Sequence, residues 1–113
     1  MSIKVMLADD HVLMREGIRQ LLEFDGTISV IAEANNGVEC MEQLLSVHPD
    51  ILLLDINMPQ MNGFEVLAIM KRSRCLEETP VIMISSEESV DTMRKAYEMG
   101  ITDYITRPFD SVI

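Results

Sequence analysis

Residues 51–59, with the sequence ILLLDINMP, decide the fold of this chain. The run at residues 51–54 is wholly apolar and too short for a stable helix, so it fits a strand buried on both faces, as in a parallel sheet. Asp55 follows the run directly, and Pro59 lies in the loop beyond it. A carboxylate at the end of a buried strand needs a partner, because Asp is almost never fully buried without one. We therefore expect a parallel α/β sheet with Asp55 at its carboxyl edge.

Two other stretches of the sequence show the same arrangement. Asp9 and Asp10 follow the mainly apolar residues 3–8, and Ser85 follows residues 81–84. In an open α/β sheet, ligands bind at the carboxyl ends of the strands. The sequence therefore predicts one polar site made from the ends of three strands.

The predicted site is strongly acidic. Asp9, Asp10 and Asp55 would converge if the first and third strands are neighbours, and their charges would then repel one another. Hard oxygen ligands with an open position suit Mg²⁺, which would offset that repulsion. An aspartate in such a site can attack phosphorus and form an acyl phosphate, and Asp55 is the best placed to do so.

Strands and helices alternate along the chain, which predicts a three-layer, doubly wound α/β fold with right-handed crossovers. The predicted strands are residues 3–8, 30–34, 51–54, 81–84 and 104–106, and the predicted helices are residues 12–22, 38–47, 64–73 and 89–99. Charged residues 77–78 are read as a spacer before the fourth strand. A last helix beginning near Asp110 is expected to be truncated or to lie outside residues 1–113.

Composition limits the classes of function. A chain of 113 residues forms one domain, and its net charge of −10 argues against direct binding to nucleic acid or to an anionic membrane. Cys40 and Cys75 lack the spacing of a zinc site, and no apolar run approaches the roughly 20 residues that a spanning helix needs. We expect a cytoplasmic protein whose partners carry basic surfaces.

The sequence resembles the receiver domains of two-component response regulators over nearly its whole length. The residues that carry the resemblance are 5–10, 53–59 with Gly63, 80–85 and 103–109. The resemblance implies that residues 1–113 form one receiver domain with a flavodoxin-like, five-stranded parallel sheet in the order 2-1-3-4-5. Any effector domain would lie outside this stretch, which we expect to be a monomer or a weak dimer.

The same resemblance assigns roles to the acidic residues. It implies that Asp55 accepts a phosphoryl group from a histidine kinase or a phosphotransfer protein. Asp10 and Asp55 would bind Mg²⁺ directly, Asn57 would bind it through its backbone carbonyl, and Asp9 would act mainly through water.

The resemblance also implies a switch. Ser85 would hydrogen-bond the phosphoryl group, and Tyr104 would turn inward on activation. The surface of the predicted fourth helix and fifth strand would then change for an effector domain or a downstream protein. Arg107 stands where receivers usually carry lysine; it keeps the charge, but its planar group can overfill a tight pocket. A receiver that acts as an interaction module without phosphorylation is therefore the main alternative.

Two further alternatives come from the enzyme and cofactor classes. A haloacid-dehalogenase-like phosphatase also uses an aspartate nucleophile, but its pattern needs a second aspartate where this chain has Asn57. A flavin-binding domain would need a phosphate-binding loop after the first strand, where Asp9 and Asp10 would repel the phosphate.

Some of these residues also have simpler interpretations. Asp9 and Asp10 could cap the first helix, and Tyr104 could be a packing residue. His11 is expected to face solvent rather than to bind a metal.

Overall fold

The computed structural model describes residues 2–86 and 89–106, and its five strands form one parallel sheet in the order β2-β1-β3-β4-β5. This confirms the predicted flavodoxin-like order, and it places the first and third strands side by side. The strands are β1 (Ile3–Ala8), β2 (Ile28–Ala34), β3 (Ile51–Asp55), β4 (Val81–Ser85) and β5 (Asp103–Thr106).

Helices connect the strands in the predicted alternation. They are α1 (Val12–Glu23), α2 (Gly37–Leu44), α3 (Gly63–Arg72), α4 (Cys75–Glu78) and α5 (Val90–Glu98). Within the described part of the chain, no helix combines the length and the apolar character needed to cross a membrane.

Apolar residues pack on both faces of the sheet, as the continuous apolar strands require. In β1, Met6 and Ala8 belong to a large core that α2, α3 and α5 cover, whereas Val5 and Leu7 belong to a smaller core with Ile18 of α1. Successive side chains of a strand point to opposite faces, so the two cores lie on opposite sides. The molecule therefore has the three predicted layers.

Several boundaries differ from the sequence prediction. The second helix ends at Leu44 instead of residue 47, because the chain turns there and the N–H of Leu45 donates to the carbonyl of Glu42. β2 begins at Ile28 instead of residue 30, because Ile28 pairs with Ile3 of β1.

Residues 77–78 are not a spacer but part of the short helix α4. Cys75 and Leu76 of this helix pack against the large core, and Arg74 reverses the chain before it with a φ of 67°. Periodicity could not find α4, since one turn is too short to show a pattern.

β3 and β4 each extend one residue beyond the prediction, so that Asp55 and Ser85 are the last residues of their strands. The predicted helix near Asp110 lies outside the described residues.

Candidate functional site

The carboxyl edge of the sheet brings Asp9 and Asp55 together. Asp55 ends β3, and Asp9 directly follows β1, the strand that pairs with β3. The two residues are only 4% (Asp9) and 2% (Asp55) exposed. Both residues are thus buried at the carboxyl ends of the two neighbouring strands, the edge of the sheet at which the sequence predicted the site.

Four side chains meet at this place. Ligand atoms of Asp9, Asp10, His11 and Asp55 all lie within 4.8 Å of one another. Asp10 Oδ1 is buried and makes no hydrogen bond within the described part of the chain, although His11 Nδ1 lies 3.1 Å from it. Clustered carboxylate oxygens, one of them buried and without a hydrogen bond among the described residues, fit a hard divalent cation. The residues present therefore fit Mg²⁺.

The acidic pair directly precedes the capping position of α1. His11 is the residue that precedes α1, and its side chain makes no capping hydrogen bond. The backbone N–H of His11 instead donates to Asp9 Oδ1 at 2.9 Å. Asp9 is thus oriented by the turn between β1 and α1.

His11 takes part in the site more closely than its sequence position indicated. Its side chain is 60% exposed, as expected, but Nδ1 lies 3.1 Å from Asp10 Oδ1 and 3.3 Å from Asp9 Oδ1. The only signal for this contact in the sequence is that His11 directly follows the two aspartates.

The loop after β3 is held against the strand by close backbone packing. The N–H of Gly63 donates to the carbonyl of Ile56 at 2.8 Å, and a Cβ atom at residue 63 would lie 2.5 Å from the carbonyl oxygen of Asp55. Asn57 is exposed, and its N–H donates to Asp55 Oδ1 at 3.3 Å. Because residue 63 is glycine, the loop after β3 can pack closely against the end of that strand, which keeps Asn57 beside Asp55.

A second glycine supports the same loop from α2. A Cβ atom at Gly37 would clash with the backbone and side chain of Met61. The sequence around Gly37 indicates only a break after β2, because a contact with residue 61 cannot be seen in local sequence.

Ser85 and Tyr104 lie on the neighbouring strands. Ser85 is fully buried at the end of β4, one residue beyond Ile84, the partner of Asp55 across the ladder. Tyr104 of β5 is 8% exposed and belongs to the large core, so it occupies an inward position in this structure. Arg107 lies outside the described residues.

Asp103 links β5 to the helix before it. Asp103 Oδ1 accepts hydrogen bonds from the hydroxyl of Tyr97 at 3.1 Å and from the backbone N–H of Tyr104 at 2.8 Å. Partial desolvation and the hydrogen bond to Asp103 raise the pKa of Tyr97 above its usual range. The neighbourhood of Tyr104 is thereby connected to the surface of α5.

Comparison with known proteins gives one consistent family. The family model described as the response regulator receiver domain matches residues 5–112. A protein-glutamate methylesterase/protein-glutamine glutaminase 2 of Carboxydothermus hydrogenoformans is 40% identical over 98% of this chain, and that match covers 31% of the relative. The corresponding enzyme of Pyrococcus horikoshii is 39% identical over 98% of this chain and is covered over 30% of its length. The chain thus spans about a third of these relatives.

Solved structures agree with the sequence comparisons. The response regulator domain of CheB from Thermotoga maritima superposes with a TM-score of 0.85 at 34% identity, covering 100% of this chain and 84% of that one. The signal receiver domain of the putative response regulator NarL from Mycobacterium tuberculosis gives a TM-score of 0.86 at 30% identity, with 93% and 83% coverage.

Proposed function

Because this chain belongs to the response regulator receiver domain family, we propose that Asp55 accepts a phosphoryl group from a histidine kinase or a phosphotransfer protein. The observation that carries the proposal is the position of Asp55. Its carboxylate ends the central strand β3 and lies in the cluster with Asp9 and Asp10. No other aspartate of the described chain ends a buried strand within such a cluster.

The transfer uses the carboxylate of Asp55 as a nucleophile. A carboxylate oxygen attacks phosphorus, the bond to the donor's histidine breaks, and an acyl phosphate forms. The buried strand end fixes the direction of attack, and the hydrogen bond from the N–H of Asn57 holds Oδ1 of Asp55 in place. Holding the reacting group in one geometry lowers the entropic part of the barrier.

We assign the cation site to four residues. Asp10 and Asp55 would hold Mg²⁺ directly, Asn57 through its backbone carbonyl, and Asp9 mainly through water. The buried Oδ1 of Asp10, which has no hydrogen-bond partner among the described residues, supports its place in this set. When bound, Mg²⁺ neutralises the charge that develops on the transferred phosphoryl oxygens.

Phosphorylation would change the surface next to the site. It adds about −1.5 to −2 charges and three strong acceptors at Asp55. Ser85 is the last residue of β4, the strand that pairs with β3. Its hydroxyl would donate a hydrogen bond to one of these acceptors and so move the start of the connection between β4 and α5. Through the Tyr97–Asp103 contact, a shift near Tyr104 would reach the exposed face of α5. An effector domain or a downstream protein would bind that face.

The proposed role is regulatory, without turnover of a substrate by this domain. Asn57 occupies the place where an aspartate phosphatase needs its acid/base. The methylesterase relatives extend well beyond the matched region, so any such activity would belong to a further domain. We also propose a cytoplasmic location, since Cys40 and Cys75 are free thiols.

Phosphorylation by a small donor tests the proposal. With Mg²⁺ and acetyl phosphate, the intact mass should increase by one phosphoryl group in the wild type and not in Asp55→Asn. Asp50→Asn is a matched control, because Asp50 is an exposed carboxylate just before the opposite end of the same strand. A mass that never increases in the wild type, or that increases equally in Asp55→Asn, would overturn the proposal.

A further inference from the structure

Arg15 is a charged residue of α1 whose contacts converge beside the acidic cluster. Its side chain is only 11% exposed. Its Nη1 atom donates to the backbone carbonyls of Asp9 at 2.6 Å and Ala34 at 3.2 Å, and to Asn35 Oδ1 at 2.8 Å. Its Nε atom donates to Glu33 Oε1 at 2.7 Å. A largely buried arginine with four acceptors is fixed in one orientation.

These contacts join the carboxyl ends of two neighbouring strands, β1 and β2. Ala34 is the last residue of β2, and its carbonyl also accepts the N–H of Asp9 at 3.0 Å. Asp9 lies just beyond β1, so its own carbonyl is outside the regular ladder of that strand. Arg15 supplies the donor for this carbonyl and thereby fixes the peptide plane between Asp9 and Asp10.

The orientation of that peptide determines where the acidic side chains lie. A rotation about the backbone at Asp9 would move Asp10 away from Asp55, and it would break the hydrogen bond from the N–H of His11 to Asp9 Oδ1. The guanidinium also brings a permanent positive charge next to a cluster of carboxylates. Through the backbone of Asp9, Arg15 is therefore placed to orient the cluster.

We propose that Arg15 is a positioning residue for the cation site, acting through the backbone of Asp9 and Asp10. The proposal rests on the proposed function, because it concerns the affinity of that site for Mg²⁺. Groups that orient metal ligands without touching the metal typically contribute about 10- to 100-fold to metal affinity.

Arg19 is the matched control for Arg15. It lies one turn further along α1 and donates to the same carboxylate, with Nη1 3.2 Å from Glu33 Oε2, and it also pairs with Glu23. None of its hydrogen bonds among the described residues reaches Asp9 or Asp10. Replacing either arginine weakens the attachment of α1 to β2, but only Arg15 contacts the backbone of the cluster.

The experiment compares Arg15→Gln and Arg19→Gln by Mg²⁺ titration calorimetry, with urea unfolding in the absence of Mg²⁺ as the measure of stability. Arg15→Gln should weaken Mg²⁺ binding about tenfold or more, and Arg19→Gln should change it less than about twofold, even if both lose similar stability. Equal effects of the two variants on affinity, or no effect of Arg15→Gln, would overturn the proposal.

A second measurement does not depend on the metal. The amide of His11 should exchange its hydrogen faster in Arg15→Gln than in Arg19→Gln, because its acceptor Asp9 would lose its fixed position. If the wild type binds no Mg²⁺, the assigned cation site fails, and the exchange of this amide decides only whether Arg15 positions the backbone of Asp9 and Asp10. Faster exchange in Arg15→Gln then supports the positioning role, and unchanged exchange refutes it.

Discussion

Gly63 packs directly on the backbone of Asp55: a Cβ atom at residue 63 would lie 2.5 Å from the carbonyl oxygen of Asp55 and 2.9 Å from Cα of Ile56. Both neighbours are backbone atoms, so they cannot give way as a flexible side chain would. The first residue of α3 and the last residue of β3 are therefore coupled by contact, which ties the position of the site to the docking of a helix.

Gly63→Ala should destabilise the protein by about 1–3 kcal/mol, the usual range for forcing extra atoms into a well-packed interior. Gly17→Ala is the control, because Gly17 lies within α1 with no atom within 4 Å of its added Cβ. The control should be stabilised by about 0.5–1 kcal/mol through the better helix propensity of alanine. Urea unfolding measures both. Gly63→Ala with wild-type stability would show that the contact does not constrain the loop.

Mg²⁺ should stabilise the folded protein, because it relieves the repulsion among Asp9, Asp10 and Asp55. At a concentration of about 100 times the dissociation constant, the gain should be about 2.7 kcal/mol. Thermal unfolding with and without Mg²⁺ measures it. Asp10→Asn should reduce the gain, whereas Asp50→Asn should not. An equal gain in all three proteins would place the cation elsewhere.

Cys40 should react with alkylating reagents only when the protein opens. Burial, with a smaller contribution from Cys75, raises the pKa of Cys40 from 9.0 to about 12, so the thiolate is about a thousandfold scarcer than for an ordinary thiol. Mass spectrometry at about pH 8, near the ordinary pKa of a thiol, should find Cys75, which is only half-buried, labelled first. Equal labelling rates of the two thiols would contradict this burial.

The same shift has a consequence for stability at alkaline pH. A pKa that is raised in the folded state stabilises the fold fully below the unfolded value, and this contribution is lost as the pH rises from about 9 toward about 12. The free energy of unfolding should therefore fall more steeply over this range in the wild type than in Cys40→Ala. If the free energy of unfolding falls equally with pH in the two proteins, the raised pKa of Cys40 is refuted.

Arg107→Lys should strengthen activation, since a compact ammonium fits a tight phosphate pocket better than a planar guanidinium. Beryllofluoride, which stands in for the phosphoryl group, should change the NMR signals of Tyr104 more fully in the variant than in the wild type. The same incomplete change in both proteins would show that Arg107 does not limit switching.

The centre of the site could be predicted because the end of a buried strand can be recognised from the local sequence. An apolar run marks a buried strand, and parallel strands end at one edge, so the sequence indicated that Asp9, Asp10 and Asp55 lie together if the first and third strands are neighbours. The sheet order then required the resemblance to a known family, since strand patterns alone do not specify neighbours.

The supporting contacts could not be predicted in this way. The contact between Gly37 and Met61 joins residues far apart in sequence, and it depends on how α2 packs on the loop after β3. In the sequence, Arg15 is one more charge on an amphipathic helix, and only the tertiary fold brings the end of β2 to it as an acceptor. Such contacts leave no periodic signal.

The central claim is that Asp55 carries the phosphoryl group, and the most direct test is chemical. Borohydride reduces an aspartyl phosphate to homoserine, which marks the modified residue permanently. After treatment with acetyl phosphate, Mg²⁺ and borohydride, peptide sequencing by mass spectrometry should find homoserine at residue 55. Homoserine at another aspartate, or at none while the intact protein gains a phosphoryl group, would contradict the account.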